Sequence, residues 1–386
     1  MRVLFYTTSL GRGGAESHLV RLVNELSSGD DPIDVEIAVL YPGEYAERLP
    51  NGVPLHVFGR EGGSVTFALT RSVRPLRELI LSSRPDIVCS IMDMPGLFAY
   101  RALLGLDTPP AFVTSVQNPP LLRYETDRPS LTAVSNGYAR LRLALTRRLY
   151  RGADALIAIS KGVKADIARL SPESESKTHV VYNAGVDDTV LESAQAGFLD
   201  QTSRPSPLVV ACGRLVHQKG FDVLIDAFLS VRDRADGATL WILGQGPLRP
   251  LLEAQVSRLG LDDAVVFQGF QSNPFSFMAA ADVFVLSSRF EGFGNVVAEA
   301  MACGTATVAT DCPYGPGEII ENGTSGVLVP VEDREALADA LCQVLADAEL
   351  RSKLARAGRE RARAFSAEGS AEAHRRLFQL VAKTSV

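Results

Sequence analysis

This 386-residue chain lacks several features that would assign it to a special class of protein. Its five cysteines are scattered and none forms a C-x-x-C pair, which is typical of free thiols in a reducing compartment. No segment approaches the roughly 20 apolar residues that span a bilayer. The apolar start of the chain is too short for a signal peptide. We therefore expect a cytoplasmic protein that is at most peripheral to the inner face of the membrane.

Other absences narrow the class further. The formal net charge of -6 argues against nucleic acid as a general partner. The first glycine loop is not a full G-x-G-x-x-G, and no acidic residue follows it at the expected spacing of about 20 residues, which disfavours a plain NAD-dependent enzyme. The length exceeds the roughly 250–300 residues that one hydrophobic core serves, so two domains are predicted.

Short β-rich runs alternate with helical patterns, which predicts βαβ units and parallel sheets. Each half of the chain predicts its own doubly wound sheet. We expect a first domain over residues 1–190, a linker over 191–207 and a second domain over 208–366. The predicted strands are residues 3–7, 35–40, 87–91, 111–116 and 155–159 in the first half, and 208–212, 239–243, 265–268, 283–286, 306–309 and 326–329 in the second.

Three of these strands lead into glycine-rich loops. Gly13 and Gly14 follow the first strand, Gly213 follows the first strand of the second half, and Gly244 and Gly246 follow the next one. Glycine lets a backbone approach a phosphate or a sugar, and a helix N-terminus favours negative charge. The loops therefore indicate a phosphate or sugar site, although a plain turn also explains each loop taken alone.

Two cations lie in the second of these loops. Arg214 and Lys219 are five residues apart at the carboxyl end of a strand, where open α/β sheets bind ligands. Arginine binds phosphate in a bidentate way and lysine supplies a compact charge. The pair predicts a phosphate clamp, with a solvated pair of surface cations as the alternative.

The segment 287–301 carries the strongest signal. A predicted strand ends before it, Gly292 and Gly294 follow, and a helix begins near Asn295, so its first N–H groups form an anion site. Glu291 precedes the helix and Glu299 lies within it. Because phosphate would repel both carboxylates, we expect them to accept hydrogen bonds from sugar and ribose hydroxyls. For Glu299 the alternative is a surface helix residue, but its alanine and methionine neighbours indicate burial.

Together these motifs resemble the retaining GT-B glycosyltransferases of the family 4 type. The resemblance is carried by Gly213-Arg214 with Lys219-Gly220, by residues 244–247, by Glu291-x7-Glu299 and by residues 311–329. It implies an α/β fold of two Rossmann-like domains that face each other across a cleft. The first domain would bind the acceptor, the second the nucleotide sugar, and a final helix over 367–386 would pack back onto the first domain.

The resemblance also implies roles for individual residues. Arg214 and Lys219 would contact the diphosphate, Glu291 the hydroxyls of the donor sugar and Glu299 the ribose. Residues 292–296 would hold the sugar and phosphates through backbone N–H groups. The complete expected donor-binding set is Gly13, Gly14, Gly213, Gly244, Gly246, Phe270, Gln271, Gly292, Phe293, Gly294, Asn295, Val296 and Glu299.

One position departs from the family pattern. Many members carry a histidine near the transferred sugar, where this chain has Gln117. Glutamine hydrogen-bonds but takes no proton at neutral pH, so the leaving phosphate is the expected base. The expected catalytic set is thus Glu291, Arg214, Lys219 and Gln117. No strict D-x-D occurs, so we expect no metal and no cofactor, the nucleotide sugar being a co-substrate.

The predicted activity is transfer of a hexose or N-acetylhexosamine from a UDP-sugar to a hydroxyl acceptor, either soluble or lipid-linked. A nucleotide-sugar epimerase and a catalytically inactive sugar-nucleotide-binding protein are the alternatives. The stretch 138–151 is basic and amphipathic. It predicts either contact with anionic lipid or a solvated helix that packs by its leucines, and we favour the second.

Overall fold

The computed structural model describes residues 1–28, 31–59, 65–122, 133–196 and 204–384. The chain forms two compact units. Unit 1 comprises Met1–Ala184 and Ala367–Val386, and unit 2 comprises Gly185–Ser366. Each unit is built on a parallel sheet, which confirms the predicted α/β class with two Rossmann-like domains.

Unit 1 contains a seven-stranded sheet within its described residues, in the order β3-β2-β1-β4-β5-β6-β7. All of its strand pairs are parallel. The central strands are almost continuously apolar because both faces of such a sheet are covered. The strands are β1 (Arg2–Ser9), β2 (Asp34–Tyr41), β3 (Leu55–Val57), β4 (Ile87–Ile91), β5 (Ala111–Val116), β6 (Ala155–Ala158) and β7 (Thr178–Val180).

The helices of unit 1 cover this sheet. They are α1 (Gly14–Ser27), α2 (Val65–Ser83), α3 (Asp93–Leu103), α4 (Ala133–Gly152), α5 (Lys161–Leu170) and the carboxyl-terminal helix (Ala367–Thr384). The carboxyl-terminal helix packs against α1 and the sheet: the Phe378 and Phe5 rings meet edge-on at 6.1 Å, and His374 lies 5.7 Å from His18. Burial lowers the pKa of the His374 imidazole to about 4, so this contact is neutral at pH 7.

Unit 2 contains a six-stranded parallel sheet in the order β10-β9-β8-β11-β12-β13. Its strands are β8 (Leu208–Cys212), β9 (Thr239–Leu243), β10 (Val265–Gly269), β11 (Val283–Leu286), β12 (Ala306–Thr310) and β13 (Val327–Val329). Its helices are α6 (Asp188–Gln195), α7 (Phe221–Arg234), α8 (Arg249–Leu259), α9 (Pro274–Ala280), α10 (Asn295–Ala302), α11 (Pro316–Ile319), α12 (Arg334–Ala346) and α13 (Ala348–Ala362).

Helix starts in unit 2 follow local sequence signals. The Asp187, Asp333 and Asp347 carboxylates accept hydrogen bonds from backbone N–H groups of the first turns of α6, α12 and α13. Such caps satisfy donors that have no partner inside the helix. The site-bearing helix α10 differs, because its cap is Gly294 in the left-handed conformation. Helices α7 and α8 of the same unit likewise start without a side-chain cap.

The boundary between the units differs from the expected one. Unit 1 ends at Ala184 instead of residue 190, and α6 occupies part of the expected linker 191–207. This helix packs against α9 of unit 2, and the Ser193 carbonyl accepts a 3.0 Å hydrogen bond from Asn273. Residues 197–203 of the expected linker lie outside the described residues. Within the described ranges, no helix is both long enough and apolar enough to cross a membrane.

Candidate active site

The predicted donor residues collect at the carboxyl edge of the sheet of unit 2. Strands β8 and β11 are parallel neighbours there, and the chain continues from them towards opposite sides of the sheet. Open α/β sheets bind ligands at such a switch point, outside the carboxyl ends of the strands. The loop after β8 carries Arg214 and Lys219, and the loop after β11 carries Glu291.

The loop after β8 is held close to its neighbours. The Gly213 N–H donates to the Leu243 carbonyl at 3.0 Å, and a short 3-10 turn spans His217–Lys219. Gly220 ends this turn in the left-handed region, at φ 60°. A Cβ at that position would overlap the Ser287 carbonyl oxygen, so only glycine lets the two loops approach this closely.

Lys219 and Glu291 form a buried ion pair between these loops. The Lys219 Nζ donates to Glu291 Oε1 at 2.5 Å, and the side chains are only 14% and 7% exposed. The Ser288 hydroxyl donates to the same carboxylate oxygen at 2.6 Å. No described residue donates to Glu291 Oε2. The pair therefore fixes one carboxylate oxygen and leaves the other able to accept a hydrogen bond.

Arg214 has a different environment from Lys219. Its side chain is exposed and makes no ion pair with any residue in the described part of the chain. An exposed guanidinium beside a fixed ammonium suits a ligand that brings several anionic oxygens. The loop after β8 thus carries one buried, ion-paired cation and one exposed cation.

The start of α10 lies in the loop after β11, as predicted. Gly294 adopts φ 91°, and its carbonyl accepts the Val297 N–H at 2.9 Å. The N–H groups that begin a helix have no partner within it, so the role of residues 292–296 as a backbone anion site stays a prediction. Glu299 is buried on the same helix, so the surface alternative for this residue is wrong.

The third glycine loop, after β9, packs directly on the first. Gly244 has φ 130°, and a Cβ there would overlap the Gly213 carbonyl oxygen. Its N–H donates to Gly269 at the end of β10 at 2.7 Å. Phe270 and Gln271 follow immediately, and the Gln271 amide donates to the Gln268 carbonyl at 2.7 Å. Gly246 lies beside Leu215 in the same cluster.

Cys212 at the end of β8 reports the electrostatics of this edge. Burial raises the pKa of its thiol to about 12, the charge of Glu299 adds to that rise, and Lys219 opposes it. The thiol is therefore protonated at neutral pH and is no nucleophile.

The remaining predicted residues belong to unit 1. Gly13 caps α1 after β1, with Gly14 as the first helical residue. Gln117 follows β5 and is buried, with its amide nitrogen donating to the Ser115 hydroxyl at 2.9 Å. The Asn183 amide donates to the Gln117 carbonyl oxygen at 3.1 Å. Both groups of the Gln117 side chain are therefore oriented by neighbours.

Gln117 also lines a cavity of about 230 Å³ at the carboxyl edge of the sheet of unit 1. The cavity lies at the switch point between β1 and β4, and α4 forms part of its wall. Its lining includes Thr8, Met92, Asp93, Asn118, Arg142 and Thr146. A mixed wall of amide, hydroxyl, charged and apolar groups fits a polar molecule such as a saccharide.

Sequence reasoning missed Met92 and Asp93 in this cavity. Met92 has φ 74°, an uncommon conformation for a residue other than glycine, and such residues concentrate at functional sites. The Asp93 carboxylate accepts a 2.9 Å hydrogen bond from the Tyr150 hydroxyl. The signal that could have found them is their position directly after the predicted strand 87–91.

Comparison with known proteins follows the division into two units. The family model described as Glycosyltransferase Family 4 matches residues 12–189, and the model described as Glycosyl transferases group 1 matches residues 206–347. The lipopolysaccharide core biosynthesis mannosyltransferase LpcC of Rhizobium leguminosarum bv. viciae is 31% identical over 281 residues, covering 67% of this chain and 76% of the relative. The chain belongs to the family 4, group 1 glycosyltransferases.

A curated relative and a solved structure are also similar to this family 4 chain. The N-acetylgalactosamine-N,N'-diacetylbacillosaminyl-diphospho-undecaprenol 4-alpha-N-acetylgalactosaminyltransferase of Campylobacter jejuni is 32% identical over 242 residues, covering 62% of this chain. The match spans 64% of that relative, less than two thirds of its length. The crystal structure of Anabaena Alr3699/HepE in complex with UDP and glucose matches with a TM-score of 0.77 at 21% identity, covering 100% and 99% of the two chains. This likeness shows the GT-B fold.

The predicted catalytic set of this family 4 chain is divided between its units. Lys219 and Glu291 are in direct contact in unit 2, Arg214 lies in the same loop as Lys219, and Gln117 belongs to unit 1. The described residues contain no group of three or more histidine, cysteine, aspartate or glutamate side chains suited to a metal ion. The roles of these residues and the metal independence stay predictions.

Proposed function

We propose that this protein is a retaining glycosyltransferase that moves a sugar from a UDP-sugar to a hydroxyl acceptor. The observation that carries the proposal is the buried Lys219–Glu291 pair beside the start of α10, at the switch point of the sheet of unit 2. Membership of family 4 supports the reaction class. A similar fold that holds UDP and glucose supports UDP as the donor nucleotide.

Unit 2 would bind the donor through complementary charges. Lys219, Arg214 and the N–H groups of residues 292–296 face the two phosphates, which lets the site stabilise the UDP leaving group without a metal ion. Glu291 Oε2 accepts a hydroxyl of the donor sugar while Oε1 stays on Lys219. Glu299 accepts the ribose hydroxyls, and Phe270 with Gln271 flanks the base.

The proposed retaining step needs no side-chain base, so it is compatible with glutamine at residue 117. The bond from the anomeric carbon to the leaving phosphate oxygen breaks, and the acceptor oxygen bonds to the same face of that carbon. The product keeps the anomeric configuration because the new bond forms on the face that the leaving group departs from. The acceptor proton passes to the leaving phosphate oxygen, and UDP departs with it. The oriented Gln117 amide lines the cavity of unit 1, where it can hydrogen-bond the acceptor without taking its proton.

The acceptor would bind in the cavity of unit 1, and we propose a lipid-linked saccharide. Two relatives support this class by name: one serves lipopolysaccharide core biosynthesis and the other acts on a diphospho-undecaprenol. The face of α4 supports it physically. Leu141 and Leu145 are 58% and 40% exposed, one helical turn apart, with the exposed arginines Arg140 and Arg148 beside them. This pattern fits an anionic lipid surface.

The donor assignment is tested by binding and turnover. Thermal shift with UDP-, GDP- and ADP-sugars should show stabilisation by UDP-sugars, because a ligand that binds only the native state raises its stability. Lys219→Met and Glu291→Gln should lower the rate of UDP release from the stabilising donor by about 100-fold or more. Both changes keep side-chain volume, which limits damage to the fold.

The matched control is Lys353→Met, which removes a charge from the exposed surface of α13 in the same unit. It should leave UDP release unchanged. Wild-type rates in Lys219→Met or Glu291→Gln would contradict the proposed donor site, and stabilisation by GDP- or ADP-sugars alone would contradict UDP.

A further inference from the structure

The sequence alone predicts no role for Arg289, yet its side chain makes several hydrogen bonds and ion pairs. Its guanidinium is only 12% exposed and donates two hydrogen bonds to the Asp222 carboxylate, at 2.8 and 2.7 Å. It also donates to the His217 carbonyl oxygen at 2.8 Å and forms an ion pair with Glu332. One side chain thus contacts the start of α7, the 3-10 turn before it and the turn after β13.

These contacts join the two loops that carry the donor-site charges. The Arg289 N–H donates to the Gln218 carbonyl at 2.8 Å, and the Gln218 amide donates back to the Phe290 carbonyl at 2.9 Å. The Ser287 hydroxyl donates to the Lys219 carbonyl at 2.9 Å. The backbone carbonyls of His217, Gln218 and Lys219 therefore all accept hydrogen bonds from the loop of Glu291.

The charge state of this junction is stable around neutral pH. Burial raises the pKa of the Asp222 carboxyl, but the hydrogen bonds and charge of Arg289 lower it by more, so the net shift is downward. The Asp222 and Glu332 carboxylates raise the pKa of Arg289 further above its usual value. The junction is thus an ion pair at every pH at which the protein would work.

We propose that Arg289 is a positioning residue that sets the Lys219 ammonium relative to Glu291 and thereby determines donor affinity. Arg289 itself touches no substrate in this scheme, which rests on the proposed donor site. A planar guanidinium can bond both Asp222 oxygens and the His217 carbonyl at the same time, and a lysine ammonium cannot reproduce that fork. Lysine therefore cannot replace arginine at residue 289 without losing some of these hydrogen bonds.

Unit 2 offers a matched pair at the opposite edge of the same sheet. Arg204 donates to both oxygens of Asp282, at 3.2 and 3.4 Å, and Asp282 accepts the backbone N–H of Leu208 at the amino end of β8. This pair resembles Arg289–Asp222 in chemistry and lies away from the donor loops. Arg204→Lys therefore measures the cost of disturbing an arginine–aspartate pair in this unit without disturbing Lys219.

The test is calorimetric titration with UDP of the full chain, with unfolding measured in parallel. Arg289→Lys should weaken UDP binding about tenfold, whereas Arg204→Lys should leave it within twofold at a similar loss of thermal stability. In a Lys219→Met background, Arg289→Lys should have no further effect on UDP affinity, because it acts through Lys219.

The outcomes separate this role from the donor site itself. Three outcomes would overturn the positioning role while leaving the donor site intact. They are wild-type UDP affinity in Arg289→Lys, an equal weakening of UDP binding in Arg204→Lys, and an additive loss of UDP affinity when Arg289→Lys is combined with Lys219→Met. Failure of the wild-type chain to bind UDP would overturn the donor site and, with it, this role.

Discussion

At the scale of single residues, two glycines with the same backbone conformation differ in how closely other loops approach them. Gly220 and Gly260 both adopt the left-handed region, with φ 60° and ψ 28° against φ 69° and ψ 33°. A Cβ at residue 260 meets nothing within 4 Å, whereas one at residue 220 overlaps the Ser287 carbonyl. A side chain at either position would strain the backbone by the same amount. Only at residue 220 would it also overlap a neighbouring atom.

Gly260→Ala should lower the free energy of unfolding by about 1–2 kcal/mol, the cost of the left-handed region, and leave UDP affinity unchanged. Gly220→Ala should lower the free energy of unfolding further and weaken UDP binding, because the loop of Lys219 must move away from Ser287. Urea unfolding and UDP titration of both variants measure this. Equal UDP affinity in the two variants would contradict the close approach of the loops.

The sequence identifies Lys219 and Glu291 as candidates because each follows a predicted strand. Their direct contact could not be predicted, since the partners are 72 positions apart and meet only when β8 and β11 become neighbours. The same holds for Arg289, whose partner Asp222 lies in another predicted element. Both contacts depend on the order of strands in the sheet. Hydrophobic periodicity predicts the strands but does not predict their order.

At the scale of elements, the leucines of α4 divide between the interior and the surface. Leu149 is buried, as a helix that packs by its leucines requires, but Leu141 and Leu145 are exposed. The proposed lipid contact predicts that the chain co-sediments with vesicles of phosphatidylcholine that contain phosphatidylglycerol, and less so as salt rises. The double variant Leu141→Ser/Leu145→Ser should reduce partitioning about tenfold, because apolar area is lost.

The control for that experiment is Leu251→Ser on α8, where the leucine is 68% exposed. It should partition like the wild type. An absence of wild-type binding to the anionic vesicles, or an equal loss in Leu251→Ser, would contradict a lipid contact at α4.

Most strands and the glycine loops could be predicted from the sequence, but the edge strands β3 and β7 of unit 1 could not. These two strands have only three residues each, which gives little periodic signal, although β13, of the same length, lies within the predicted strand 326–329. Part of helix α6 falls in the expected linker over 191–207, a segment with few long apolar runs. Its Asp187 cap, which accepts the Val190 N–H at 3.0 Å, is a signal that could have identified it.

At the scale of the whole molecule, two parallel sheets with glycine loops at their carboxyl edges were predictable from the alternation of strand and helix patterns. The position at which the chain passes between units was not, because residues 185 and 186 donate their N–H groups to Phe365, far away in sequence. The proposed retaining reaction rests on the family resemblance, and Gln117, which takes no proton at neutral pH, is compatible with proton transfer to the leaving phosphate.

The stereochemistry of turnover tests that central claim most directly. The full chain is incubated with the UDP-sugar that stabilises it, without acceptor, and slow hydrolysis is followed by proton NMR before the released sugar mutarotates. The account predicts that the first product carries the same anomeric configuration as the donor, and that Lys219→Met releases it far more slowly. Initial release of the opposite anomer would contradict the account.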